Sequence, residues 1–147
     1  DAAINYRSED VAARLRETCP AGINVYFDNV GGEILDCVLP QLAQHGRVVL
    51  CGTVATYNVD PPPPGPRNLV SLIFTSGRIE GFFWLGHAGS FPEAQQQLCT
   101  WFNEGKLRTN ETVQRGMDRV PVALVQLFAG ANTGQMLVDI SDAVTTR

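Results

Sequence analysis

With 147 residues the chain is long enough to bury one hydrophobic core. Hydrophobic residues make up 44% and charged residues 18%, a balance that excludes a disordered tail. The formal net charge of −4 gives no electrostatic footing for nucleic acid or an anionic membrane surface, and neither is expected as a partner.

In chain order, Ala2 to Tyr6 reads as a short strand. Ser8 is placed to cap a helix whose first turn holds Glu9 and Asp10, acids that suit the positive end of the helix dipole. Val11, Leu15 and Thr18 give that helix its stripe to about Cys19, and Pro20-Ala21-Gly22 ends it. Ile23 to Phe27 is a strand rich in β-branched and aromatic residues. Gly31-Gly32 turns the chain into a second helix, expected from about Glu33 to Gln44, with Pro40 kinking it and His45-Gly46 closing it. Arg47 to Leu50 is the next strand, apolar after its first residue, as in a strand covered on both faces. Strand, helix, strand, helix, strand is the signature of right-handed βαβ units.

Beyond Asn58 comes the run Pro61-Pro62-Pro63-Pro64-Gly65-Pro66, which favours extended polyproline backbone. An arched surface loop is the preferred reading over a ligand for an SH3-type domain. Leu69 to Phe74 predicts a short helix and Arg78 to Leu85 a strand, whose edge either pairs across a homodimer or stays capped. A helix from Pro92 to about Glu104, a weak strand at Glu111–Arg115, a helix from a capping Asp118 through Ala129 and a strand at Gln135–Ile140 complete the pattern. The fold class is therefore α/β with a parallel sheet.

Cys19, Cys37, Cys51 and Cys99 are spaced too far apart for a metal knuckle, and neither His45 nor His87 stands beside one. Reduced thiols in a cytoplasmic protein are expected, with no metal. The opening residues have neither the basic head nor the apolar run of a signal peptide, and no run reaches the length of a membrane span. The absence of an initial Met suggests a piece of a longer protein. There is no Gly-x-Gly-x-x-Gly, no phosphate loop, no Gly-x-Ser-x-Gly elbow and no zinc helix.

Ligands of parallel α/β sheets bind beyond the carboxyl ends of the strands. Two such ends stand out. Asp28-Asn29-Val30-Gly31-Gly32 offers an amide and two permissive glycines, or a plain turn. Cys51-Gly52-Thr53-Val54-Ala55-Thr56-Tyr57-Asn58 ends in a phenol beside the crevice, or in a solvent-facing loop tyrosine. Phe82-Phe83-Trp84 is either an apolar wall for a ligand or ordinary core. Ala131-Asn132-Thr133-Gly134 is a helix-end turn with Asn132 left-handed, or supplies a contacting amide.

These residues carry a resemblance. Ile4-Asn5-Tyr6, Val25 through Gly32, Cys51-Gly52 with Tyr57-Asn58, Trp101 through Leu107, Glu111-Thr112-Val113 and Gly130 through Gln135 follow one another as they do in the zinc-independent medium-chain reductases. The chain is similar, over nearly its whole length, to the prostaglandin reductase and leukotriene B4 dehydrogenase branch. That resemblance implies NADPH-dependent reduction of a carbon–carbon double bond conjugated to a carbonyl, with a small enone or oxo-lipid as substrate. A quinone reductase of the same superfamily is the alternative enzyme, and a non-catalytic nucleotide-fold module the alternative of another class. It implies Tyr6 near the adenosine 2′-phosphate, Asn29 near the nicotinamide half, and Cys51, Gly52, Thr53 and Tyr57 lining the cofactor. Phe82, Phe83 and Trp84 would border the nicotinamide, with Tyr57, Phe83 and Trp84 facing substrate, and Asn132 would reach back to the cofactor. Tyr57 would be catalytic, its O–H stabilising the enolate oxygen together with a cofactor ribose hydroxyl. The resemblance also implies a partial Rossmann-type, doubly wound parallel sheet over residues 1–86 and, over 87–147, a helix-strand segment packing on it and returning towards a catalytic domain. That domain, the family's glycine-rich turn and the basic residue at the 2′-phosphate are expected upstream of this sequence. Trp84 replaces what is commonly a smaller aliphatic residue.

Overall fold

The computed structural model describes residues 2–57, 59–61 and 64–141. Asn58, Pro62 and Pro63 lie outside the described residues, and with them the extended conformation expected for the proline run. The chain divides into two compact units, Asp1–Ala88 and Gly89–Arg147.

In the first unit, helix α1 (Val11–Thr18) leads to strand β1 (Ile23–Asp28), helix α2 (Gly32–Val38), strand β2 (Leu42–Leu50), the short helix α3 (Ser71–Thr75) and strand β3 (Arg78–Gly81). The three strands form a parallel sheet in the order β1-β2-β3. Its core is Ile23, Leu35, Val38, Leu39, Leu42 and Val48, with Leu15, Tyr26, Leu72 and Ile79 packed around them. The apolar stripe of α2 and the inward side chains of β1 and β2 thus meet, which fixes the helix over the sheet. Since parallel strands run in one direction, the loops after Asp28, Leu50 and Gly81 emerge at the same end; Asp28 is in register with Leu50, and Leu50 with Gly81.

In the second unit, helix α4 (Phe91–Asn103) precedes strand β4 (Glu111–Arg115), helix α5 (Val120–Phe128) and strand β5 (Gln135–Asp139). β4 and β5 pair in parallel across the α5 crossover. Both units are α/β with parallel pairing, as the α/β class read from the sequence requires.

Several sequence expectations are corrected. The chain around Ala2–Tyr6 is not a strand: Ser8 and Glu9 donate their N–H groups to the Asn5 carbonyl at 3.0 and 2.9 Å, and Asn5 N–H donates to the Glu9 carboxylate, so local bonds satisfy this backbone. Asp10, not Ser8, caps α1, accepting from Ala13 N–H at 3.0 Å. The second helix does not reach Gln44. Pro40 sits in a 3₁₀ turn at Leu39–Gln41, after which Leu42 is extended and pairs with Ile23. Leu42 fits the helical stripe and equally fills the core as a strand residue, so the stripe misplaced the boundary. β2 then bulges through left-handed His45 (φ 60) before regular pairing resumes at Arg47. β3 ends at Gly81, not Leu85: Phe82 N–H still donates to Leu50 O at 2.8 Å, but from Trp84 to Ser90 the chain coils into 3₁₀ turns. The final helix begins at Val120, after a 3₁₀ turn at Met117–Arg119.

Candidate functional site

The first two strand-end loops are stitched to each other by backbone. Cys51 and Gly52 donate their N–H groups to the Asp28 carbonyl at 2.8 and 3.1 Å, Val54 to Asn29 O at 3.1 Å, and Ala55 to Val30 O at 3.0 Å. Gly52 is needed for this approach, because a Cβ there would stand 3.1 Å from Asn29 O. Gly31 (φ 68) and Gly32 (φ 59) are both left-handed, a backbone that glycine adopts freely and that lets β1 turn at once into α2.

The side chain of Asp28 builds the first loop. It is fully buried, and its Oδ1 accepts from Gly31 N–H at 2.8 Å, Val30 N–H at 2.9 Å and the Tyr26 hydroxyl at 3.0 Å. Burial, reinforced by the bond to Asp28, pushes the Tyr26 phenol well above its ordinary range. Asp28 Oδ2 is buried with no partner among the described residues. Sequence reasoning picked the neighbouring amide and glycines and passed over Asp28; an aspartate closing an apolar strand two residues before a left-handed turn is the signal that would have found it.

Beyond the stitched segment, Thr56 Oγ1 donates to Thr53 O at 2.8 Å and closes a 3₁₀ turn over Val54–Thr56. Tyr57 follows directly, its N–H on Val54 O at 3.3 Å and its side chain 67% exposed, so the hydroxyl is accessible. Cys51 is exposed and carries a free thiol. The ring of Phe82 packs edge-on against Phe27 at 5.8 Å and stacks on His87 at 4.9 Å. Phe83 and Trp84, by contrast, are 67% and 54% exposed. Asn29, Cys51, Gly52, Thr53, Tyr57 and Phe82–Trp84 are thus placed by one end of one sheet.

Tyr6 is separate from that group in its surroundings. It lies before α1, lines an apolar cleft of about 330 Å³ with Ile4, Leu15, Val25 and Tyr26, and carries the Arg7 guanidinium over its ring at 6.0 Å. Asn132 belongs to the second unit. The left-handed residues around its turn are Gly130 (φ 64) and Gly134 (φ 73), not Asn132, whose side chain donates to Gly134 O at 2.6 Å. Asp36 on α2 secures the far root of the loop that follows Tyr57. It accepts from Arg67 N–H at 2.7 Å, from Arg67 Nε at 3.2 Å and from Asn68 N–H at 3.4 Å.

Among the described residues no three histidine, cysteine or carboxylate side chains gather in a way that could hold a metal ion. No helix among them is long and apolar enough to cross a membrane.

A family model described as zinc-binding dehydrogenase matches residues 1–138. The chain belongs to that family. As a zinc-binding dehydrogenase by family, it is 39% identical, over 97% of its length, to YfmJ of Bacillus subtilis, a protein named as an NADP-dependent oxidoreductase, and covers 43% of it. It is 37% identical to the NADP(+)-dependent 2-alkenal reductase of Nicotiana tabacum, with 96% of this chain and 41% of the relative covered. Among solved structures it is similar to CurA of Vibrio vulnificus in complex with NADPH, at a TM-score of 0.83 and 30% identity, covering 96% of this chain and 43% of that one. The chain therefore spans less than half the length of these family members.

Proposed function

We propose that this chain supplies the nucleotide-binding half of an NADPH-dependent reductase of α,β-unsaturated aldehydes and ketones, of the 2-alkenal or 15-oxoprostaglandin reductase type. The observation that carries the reading is the interlocked pair of loops, Asn29–Gly32 and Cys51–Tyr57, that presents an exposed tyrosine at the carboxyl end of a parallel sheet. Similarity to an alkenal reductase and to an NADPH complex supports the choice of chemistry. The order of motifs from Asn5-Tyr6 to Asn132 supports the prostaglandin reductase branch.

The residues fit a dinucleotide. Gly52 lets backbone approach backbone where a Cβ would crowd Asn29 O at 3.1 Å, and the surrounding groups are amides, hydroxyls and exposed aromatic faces. Asn29 and the Cys51–Thr53 backbone would hold the nicotinamide half, and Tyr6, with Arg7 over its ring, the phosphate-bearing adenosine. Asn132 is assigned to the cofactor as well. NADPH, when bound, supplies the hydride.

The chain's own contribution is to orient and to stabilise charge. Phe83 and Trp84 give an apolar surface for the substrate's hydrocarbon part. The Tyr57 O–H donates to the substrate carbonyl oxygen, which becomes more negative as the β-carbon is reduced. A donor fixed at the site of developing charge lowers the barrier without reorganising at the moment of reaction.

The experiment is a steady-state assay of the full-length protein with NADPH and a 2-alkenal, an enone-bearing lipid or a quinone, following loss of reduced nicotinamide absorbance and identifying the product. Saturated aldehyde or ketone as product supports the reading. Turnover of quinone alone, or of no substrate, overturns it.

A further inference from the structure

We infer that Asp28 is a positioning residue: its side-chain oxygen fixes the turn that carries Asn29, and through the bonds of that turn to Val54 and Ala55 it places the loop that carries Tyr57. Its side chain reaches forward, with Oδ1 on the N–H groups of Val30 and Gly31 at 2.9 and 2.8 Å. Its main-chain carbonyl reaches sideways, accepting from Cys51 and Gly52 at 2.8 and 3.1 Å. Those main-chain bonds survive any substitution; what the side chain controls is the turn, and Val54 N–H on Asn29 O at 3.1 Å and Ala55 N–H on Val30 O at 3.0 Å carry its placement to the loop that ends in Tyr57.

The environment argues that stability alone does not account for this carboxylate. Asp28 is 0% exposed at the end of an apolar strand, and none of the ion pairs among the described residues involves it. Burying a carboxylate without a cation is costly, and its unpartnered Oδ2 adds to that cost. A buried polar group held at such expense is more often found where geometry is needed than where packing is. The chemistry is specific: a carboxylate is acceptor-only, and one of its oxygens takes three donors here, from Tyr26, Val30 and Gly31. An apolar residue would leave two loop amides without acceptors, and these amides set the left-handed turn through Gly31 and Gly32.

This inference rests on the functional reading above, and its test separates the two. In the full-length protein, Asp28→Ala and Asp28→Asn are compared with wild type for NADPH binding by fluorescence titration and for amide hydrogen exchange at Val30, Gly31, Val54 and Ala55. Asp28→Ala should raise the NADPH dissociation constant about tenfold to a hundredfold, the range for losing charge-assisted hydrogen bonds, with faster exchange confined to the two loops and the β1–β2 ladder still protected. Asp28→Asn keeps an oxygen acceptor; it should hold affinity within about threefold of wild type while lowering the unfolding midpoint, a split that a merely structural residue would not give. If wild type binds NADPH and Asp28→Ala binds it equally well, the inference fails and the functional reading stands. Equal losses of affinity in both variants, in step with their loss of stability, also overturn it. If wild type does not bind NADPH, both fall.

Discussion

The carboxylate of Asp36 accepts the backbone N–H of Arg67 at 2.7 Å, 31 residues further along the chain. With Asn68 Nδ2 donating back to the Asp36 carbonyl at 2.9 Å, this contact ties α2 to the chain that returns from the Tyr57 loop. Burial raises the Asp36 pKa, but the bonds from the Arg67 side chain and from the Arg67 and Asn68 backbone outweigh it, and the net shift is downward.

A lowered carboxylate pKa contributes stability that is present above the unfolded value, about 3.9, and lost as pH falls through the folded value. Acid unfolding of wild type should therefore include a component below about pH 4 that Asp36→Asn lacks. Asp36→Ala should cost about 0.5–1.5 kcal/mol at neutral pH, the net worth of the lost backbone hydrogen bonds, since Arg67 is exposed to water and its ion pair adds little. Denaturant melts of both variants across pH check the sign; an unchanged acid limb in Asp36→Asn would refute it.

Gly22 (φ 84) admits no side chain: a Cβ there would stand 2.9 Å from both the N and Cα of Ala43. Gly22→Ala should destabilise the first unit by about 1–3 kcal/mol, through strained backbone and displacement of the start of β2. A thermal midpoint equal to wild type would show that the Ala43 backbone yields freely.

Tyr57→Phe in the full-length protein removes the hydroxyl and keeps the exposed ring. We expect kcat to fall about tenfold to a thousandfold with little change in NADPH affinity. Weaker NADPH binding with single-turnover hydride transfer intact would make Tyr57 a cofactor-positioning residue instead.

Tyr6 is 62% exposed with Arg7 above its ring. If this edge meets the 2′-phosphate, Tyr6→Ala should raise the KM for NADPH and leave that for NADH nearly unchanged. Equal effects on the two cofactors would assign Tyr6 to packing alone.

Composition and periodicity were enough for the parallel α/β class and for both strand ends, because Ile23–Phe27 and Val48–Leu50 are short apolar runs closed by turn residues. They failed where one side chain serves two conformations equally. Leu42 satisfies the helical spacing from Leu35 and Val38 and also the inward position opposite Ile23, and only the sheet decides between them. Asp28 was hidden for a different reason. Its neighbours Asn29 and Gly31 look more like site residues, while its own work is done by a buried oxygen on amides that the sequence does not display.

In the order β1-β2-β3, one edge of β1 has no strand beside it among the described residues, and its Val25 and Phe27 are 55% and 51% exposed. Unpaired backbone flanked by apolar side chains is a template for another copy of the same strand. When this polypeptide is handled by itself, that edge is expected to pair between copies as concentration rises. Light scattering should climb with protein concentration at a fixed, mild temperature, and a lysine in place of Val25 should hold it flat.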